Sequence, residues 1–380
     1  MDSEHIRVLL VEDDPEDVML LQDTLAEAHL PKLEWTTVEL LADAIDRLGR
    51  ETFDVVLLDL TLPDSRGLDT FLQLNAARPE AAVVMLTGLH DEDLGLQAVQ
   101  RGAQDYLVKG YSDGKALARS VRYSIERARR RRAERELTVR QSEVQAAREI
   151  QQRLFPRAAP AVAGYDIAGA SYPAVETGGD YYDYIPMSDG RLAVAIGDVT
   201  SHGLGPALVM AETRAYLRAL MLSRADVGEV LGLANKALVL DTSDELFVTL
   251  LLAGLDTGSG ALTYASAGHT PGYVLDDSGA VRRELWSTGL PLGVEADGHF
   301  SDGQPLQLSA GDVVLLLTDG ITEASDAGGE NFGVERTLQA VRANRHRPAA
   351  EVLESLYREV RAFQGVEQKD DITAIVIKVS

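Results

Sequence analysis

The strongest constraint on this chain is a repeated arrangement near its start: short apolar runs, each ending in a chemically active side chain. Val8 to Val11 leads into Glu12 and Asp13, Val55 to Leu58 into Asp59, and Val83 to Leu86 into Thr87. Nearly continuous apolar runs of this length fit strands covered on both faces. Stretches such as Val18 to Ala28 and Leu94 to Arg101 lie between them with helical spacing. Strand and helix in alternation predict an α/β domain with a doubly wound parallel sheet, whose ligands bind at the carboxyl ends of the strands. Glu12, Asp13 and Asp59 are therefore expected to converge, with Thr87 and Lys109 at the same edge. Acids so close repel unless a cation joins them, and Mg²⁺ is the natural partner. Nucleophile, metal and cationic stabiliser together have the chemistry of an aspartyl phosphate.

The next segment, residues 113–155, has no proline and a single glycine, Gly114, and reads as one long helix stopped by Pro156. Leu137, Val144, Ala147 and Leu154 fit the apolar seam of a short coiled coil, with Arg140 and Gln151 in the same seam. The segment reads as a dimerising connector. Arg127 to Arg135 form a basic cluster, but the whole chain carries a net charge of −24. That balance favours a solvated face paired with nearby glutamates over a nucleic-acid surface.

From Gly164 onward the texture changes. Leu192 to Ile196, Phe247 to Leu255, Val313 to Leu317 and Ile372 to Val379 read as strands. Helical blocks at Pro206 to Leu222 and Val227 to Leu240, with a later pair ending near Phe363, predict an α+β layered fold. A second set of acids flanks strand-like runs here: Asp180 in GGDYYD, Asp198 in AVAIGDVTSHG, Asp319 in VVLLLTDGITEA, and Asp370 with Asp371 in KDDITAIVI. Converging carboxylates of this kind suit two divalent cations bridged by one oxygen ligand. The chain has no cysteine, so any hydrolysis must use a metal, a hydroxyl, a carboxylate or a histidine. Absent thiols agree with a cytoplasmic location. No long uncharged apolar run predicts a membrane span, and the polar, acidic start argues against a secretory signal.

Through VLLVEDDP, VVLLDLTLPD, MLTG and DYLVKG, residues 6–112 resemble a response-regulator receiver domain. The resemblance implies a (βα)5 fold with Asp59 as phosphoacceptor and Glu12 and Asp13 as acids for Mg²⁺, Thr61 adding a backbone carbonyl. It makes Thr87 the signalling hydroxyl, Tyr106 the switch aromatic and Lys109 the phosphate-binding lysine, and implies a sensor histidine kinase upstream. Asp14 is an extra acid outside the pattern.

Residues 150–380 resemble the PPM superfamily of metal-dependent serine/threonine phosphatases, nearest its bacterial SpoIIE-like branch. AREIQQRLFP, SAGH at 266–269 and GLPLG at 289–293 also match that branch. The resemblance implies a layered β-sandwich flanked by helices, two Mn²⁺ or Mg²⁺ ions, and a phosphorylated protein substrate such as an anti-sigma-factor antagonist. It makes Asp198 the acid bridging both metals, with Val199 giving a carbonyl, and Asp180 the acid that orients water. Asp319 and Asp370 match further ligands, with Asp371 beside them as the other member of the DD pair. The arginine that binds phosphate in eukaryotic relatives has no clear counterpart; Arg157 and Arg191 are the candidates. His269 and His202 each fit either a structural or a catalytic part.

Three other readings compete. GGD also occurs in diguanylate cyclases, but those continue with an acid and an aromatic, where Tyr181 and Tyr182 stand here. A histidine kinase is disfavoured because no histidine lies between His90 and His202. A non-catalytic adaptor built on a phosphatase-like fold is opposed by the complete acid set. The expected organisation is a receiver at 1–112, a connector at 113–157 that forms a homodimer through 113–155, and a phosphatase domain at 158–380.

Overall fold

The computed structural model describes residues 5–28, 31–88, 97–109, 114–174, 178–201, 203–242, 246–301, 303–365 and 368–380. They divide into two units, residues 1–140 and 141–380.

In the first unit the apolar runs become the strands of one sheet. In chain order the elements are β1 (Ile6–Val11), α1 (Pro15–Ala26), β2 (Leu33–Val38), α2 (Leu41–Arg50) and β3 (Val55–Asp59). The small ribbon β4 (Thr61–Leu62) and β5 (Ser65–Arg66) follows, then α3 (Leu68–Ala77), β6 (Val83–Thr87), β7 (Asp105–Val108) and the first part of α4 (Gly114–Gln152). The strand order is β2-β1-β3-β6-β7 with every pairing parallel. Alternate residues of the central strands feed two cores. Leu9, Val11 and Leu58 pack with Leu41, Phe71 and Leu74, while Val8, Leu10 and Leu57 pack with Leu25, Leu117 and Val121. Burial on both faces explains why these strands read as continuous apolar runs. From β1 the chain goes first to one side and then to the other, so the order reverses between β1 and β3. That reversal opens a crevice at their carboxyl ends. Residues 97–100 are helical, and residues 94–96 of the expected helix lie outside the described residues.

The helix α4 keeps its expected course but ends at Gln152, before Pro156. Tight bonds from Arg153 N to Ile150 O (3.1 Å) and from Leu154 N to Gln151 O (2.9 Å) close it. Its arginines pair along the helix, Arg130 with Glu134 and Arg132 with Glu136. Among the described residues no helix is long and apolar enough to cross a membrane.

The second unit is a four-layer sandwich. Its elements are β8 (Tyr165–Tyr172), β9 (Tyr181–Pro186), β10 (Leu192–Val199), α5 (Leu204–Met221), α6 (Val227–Asp241), β11 (Val248–Leu255) and β12 (Ala261–Ala267). They continue with β13 (Gly272–Leu275), β14 (Val281–Leu285), β15 (Leu306–Gln307), β16 (Val313–Leu317), α7 (Asp319–Thr322), α8 (Gly333–Asn344), α9 (Ala349–Gln364) and β17 (Ile372–Val379). Two five-stranded antiparallel sheets, β15-β12-β11-β10-β9 and β14-β13-β16-β17-β8, face each other. Val194, Ile196 and Leu251 of one sheet interdigitate with Val314, Leu316 and Ile375 of the other. The opposite faces are covered by α5 and α6 on the first sheet and by α8 and α9 on the second. The period of two along each strand decides which acids can look into the gap between the sheets.

Candidate functional site

In the first unit the crevice between β1 and β3 collects the expected acids. Glu12, Asp13 and Asp59 each bring an oxygen to within 4.8 Å of the others. Glu12 and Asp59 are buried and Asp13 is exposed, so the group opens to solvent on one side. Lys109 follows β7, its backbone N–H fixed to Thr87 O at 2.8 Å. Its ammonium donates to Glu12 Oε2 (2.5 Å), Asp17 Oδ2 (2.8 Å) and Asp59 Oδ2 (3.0 Å). Burial alone would lower the Lys109 pKa, but the bonds to Asp17 and Glu12 and the charge of Asp59 outweigh it and raise it. Burial raises Glu12; Lys109 opposes that and Asp59 adds to it.

Thr87 is fully buried and donates to Leu107 O at 3.3 Å. Tyr106 is half-buried beside the core of this unit. Thr61 is exposed in the ribbon just after Asp59. Asp14 has a local task, accepting from Glu16 N at 2.8 Å to cap α1. The donor set of acidic oxygens with one open side fits a hard divalent cation.

In the second unit the acids gather at one end of the gap between the sheets. Asp180 precedes β9, Asp198 closes β10, Asp319 opens α7 behind β16, and Asp370 and Asp371 precede β17. The two sheets are tied there directly: Thr318 Oγ1 donates to Asp180 Oδ2 at 2.9 Å. Asp180 is buried, and burial together with the charges of Asp198 and Asp371 drives its pKa well up, against bonds from Thr373 and Thr318. Asp198 is pushed up to about 8 by burial and by Asp319, Asp370 and Asp371. Desolvation and the neighbouring Asp319, Asp371 and Glu323 raise Asp370 too, against a backbone bond from Asp371 N. Among the described residues no Lys or Arg ion pair reaches any of these five acids. Crowded carboxylates without a protein cation fit divalent metal, which would supply the missing positive charge.

The two members of the DD pair differ in what they touch. Asp371 is buried, accepts from Ala174 N at 2.8 Å and takes a longer contact of 3.4 Å from Asp180 N. Asp370 is exposed, and its Oδ1 accepts from Asp371 N at 2.8 Å. Glycine is required beside Asp371 and beside Val199. A Cβ on Gly178 would lie 1.9 Å from Asp371 Oδ2, and one on Gly179 2.5 Å from the Val199 carbonyl oxygen. The loop after Asp198 contains Ser201 at a φ of 74°, a strained value for a residue with a side chain. His202 lies outside the described residues.

His269 sits inside rather than at the surface of the site. Its Nδ1 is 2.9 Å from Thr249 Oγ1, and Thr249 pairs with Asp198 in the sheet. Burial lowers its pKa to about 4, so it is neutral near pH 7 and cannot serve there as an acid. Arg191 is committed to Asp189, Thr263 and the Ala225 carbonyl, and Arg157 is exposed.

Three residues escaped the sequence reading of the sites. Asp17 joins Lys109 as above. Asp183, fully buried on β9, takes a two-pronged bond of 2.6 Å and 2.6 Å from Arg218 of α5, and another from Tyr181 at 3.0 Å. Gln151, expected in a coiled-coil seam, instead lies buried, donating to Gly178 O (2.7 Å) and accepting from Gly178 N (3.3 Å). The end of α4 is thereby fastened two residues from Asp180.

Residues 188–380 match the family Stage II sporulation protein E (SpoIIE), and residues 8–121 match the response regulator receiver domain. Phosphoserine phosphatase RsbU of Bacillus subtilis is 28% identical over 62% of this chain and 70% of its own length. Protein IcfG of Synechocystis is 28% identical over 63% of this chain but only 42% of its own length. The SiaA-PP2C domain of Pseudomonas aeruginosa superposes with a TM-score of 0.57 at 23% identity, covering 65% of this chain and 99% of that domain. That last likeness speaks for the fold. Fold and matches together define a receiver joined to a PPM-type serine/threonine protein phosphatase, a metal-dependent class. The chain belongs to the SpoIIE family.

Proposed function

We propose that this protein is a two-component response regulator whose phosphorylation at Asp59 controls dephosphorylation of phosphoserine or phosphothreonine in a partner protein. The observation that carries the reading is that one chain holds two groups of neighbouring acids: Glu12, Asp13 and Asp59, whose oxygens meet within 4.8 Å beside Lys109, and Asp180, Asp198, Asp319 and Asp370, whose charges act on one another. A sensor histidine kinase would supply the phosphoryl group, and Mg²⁺ held by Glu12, Asp13, Asp59 and the Thr61 carbonyl would neutralise it. Thr87 and Tyr106 then respond to the modified Asp59. The kinship with a phosphoserine phosphatase supports a phosphorylated protein as the substrate, and the resemblance to the SpoIIE-like branch makes an anti-sigma-factor antagonist the one proposed.

For catalysis, Asp198, the Val199 carbonyl, Asp319 and Asp370 would hold two Mn²⁺ or Mg²⁺ ions. Bound there, they would supply the Lewis acidity that turns water into a nucleophile toward phosphorus. Asp180, held by Thr318, orients that water. Asp371 serves as a positioning residue, spending its carboxylate on the backbone around Gly178 and Gly179. The organisation proposed is a receiver at 1–112, a helical connector at 113–157 and a phosphatase domain at 158–380, working in the cytoplasm. Dimerisation through 113–155 is favoured by the exposure of Val139 and Ile150 on one face of a long helix, where burial against a second helix would remove apolar surface from water.

The test is Mn²⁺-dependent hydrolysis by wild type, Asp198→Ala and Asp59→Ala, each with and without acetyl phosphate. Activity that needs Asp198, and that responds to the donor only when Asp59 is present, is the expected result. Full activity of Asp198→Ala would remove the catalytic assignment. Equal response of Asp59→Ala and wild type would remove the control.

A further inference from the structure

The contact between Asp17 and Lys109 belongs to none of the motifs that define the phosphoacceptor pocket. Asp17 stands in the first turn of α1, and its Oδ2 lies 2.8 Å from the Lys109 ammonium. The same ammonium bonds Glu12 and Asp59 at 2.5 Å and 3.0 Å. An ammonium has three N–H donors, and all three are matched to carboxylates. A phosphoryl group arriving on Asp59 adds negative charge and must draw on this cation. The Lys109 backbone is held to Thr87 O, so the end of its side chain is the part most free to turn. Of its three partners, Glu12 and Asp59 belong to the set that takes metal and phosphoryl. Asp17 lies outside that set and competes with the newcomer.

We propose that Asp17 is a positioning residue that holds the Lys109 ammonium away from the phosphoryl group and so biases the receiver toward its unphosphorylated state. The proposal rests on the reading of Asp59 as phosphoacceptor. Two effects act in the same direction. Asp17 keeps a share of the Lys109 charge, and its own charge repels the phosphoryl oxygens a few ångströms away. With side-chain exposures of 34% for Asp17 and 20% for Lys109, the pair is screened only in part. A neighbouring charge in such a setting changes binding of a charged group by about tenfold.

Beryllofluoride with Mg²⁺ serves as the probe, titrated into the full chain and followed by ¹⁹F NMR. Asp17→Asn is expected to bind it about tenfold more tightly than wild type. Asp17→Glu, which keeps the charge, is expected to stay near wild type, and Asp59→Ala to bind none. Affinity of Asp17→Asn equal to or below wild type would overturn the proposal while leaving the phosphoacceptor reading intact. Absence of binding by both wild type and Asp17→Asn would overturn that reading and the proposal with it.

Discussion

At the scale of single residues, the chemistry is decided by what surrounds each group. His269 illustrates it. Its folded-state pKa of about 4 lies below the ordinary 6.5, so between these values the unfolded chain binds more protons and stability rises with pH. The contribution is complete above 6.5 and is lost as pH falls toward 4. Between pH 7 and pH 5, wild type should lose about 2 kcal/mol more than His269→Gln, measured by urea unfolding at each pH. Gly178 makes a second case. A methyl group there meets Asp371 Oδ2 at 1.9 Å, so Gly178→Ala should cost about 1–3 kcal/mol. It should also raise the Mn²⁺ concentration for half-maximal activity, read from a metal titration. The acids themselves were legible in the sequence because each stands at one end of a strand-forming run, Asp59, Asp198 and Asp319 after it and Asp180 and Asp370 before it. Asp17 and Asp183 were not, since a lone acid looks like surface until its partner, 92 or 35 residues away, is brought beside it.

At the scale of elements, strands were the most legible parts. Val8 to Val11, Val55 to Leu58 and Val83 to Leu86 are buried on both faces, and their uninterrupted apolar character says so directly. The end of α4 was less so. Periodicity alone put Gln151 in a seam facing another helix, whereas its amide satisfies both backbone groups of Gly178. An amide side chain fits a polar seam and a buried backbone contact equally well, and only the fold chooses. Gln151→Ala removes two hydrogen bonds, each contributing about 1 kcal/mol. The expected result is weaker Mn²⁺ activation, checked by metal titration, with α-helical content by circular dichroism unchanged.

At the scale of the whole molecule, composition excluded more than it specified. A net charge of −24 argues against nucleic acid and the lack of cysteine leaves no thiol for chemistry, but the pairing of two sheets had to come from the fold. Metal should stabilise the chain as well as activate it. Mn²⁺ at about a hundred times its dissociation constant should add about 2.7 kcal/mol to the unfolding free energy. Chelation should reverse the gain, and Asp198→Ala should show little of it, both checked by thermal melts.

The acids come from the two sheets, Asp180 and Asp198 beside one and Asp319 and Asp370 beside the other, and a largely apolar filling sets the distance between those sheets. The carboxylate cluster is thus a caliper whose jaws are spaced by hydrocarbon. Mg²⁺ demands near-ideal octahedral geometry, at about 2.0–2.1 Å. Trimming Ile196 to valine, deep between the sheets, should therefore change the relative activity with Mg²⁺ and Mn²⁺. The ion that this protein prefers would then be written partly in the thickness of its core.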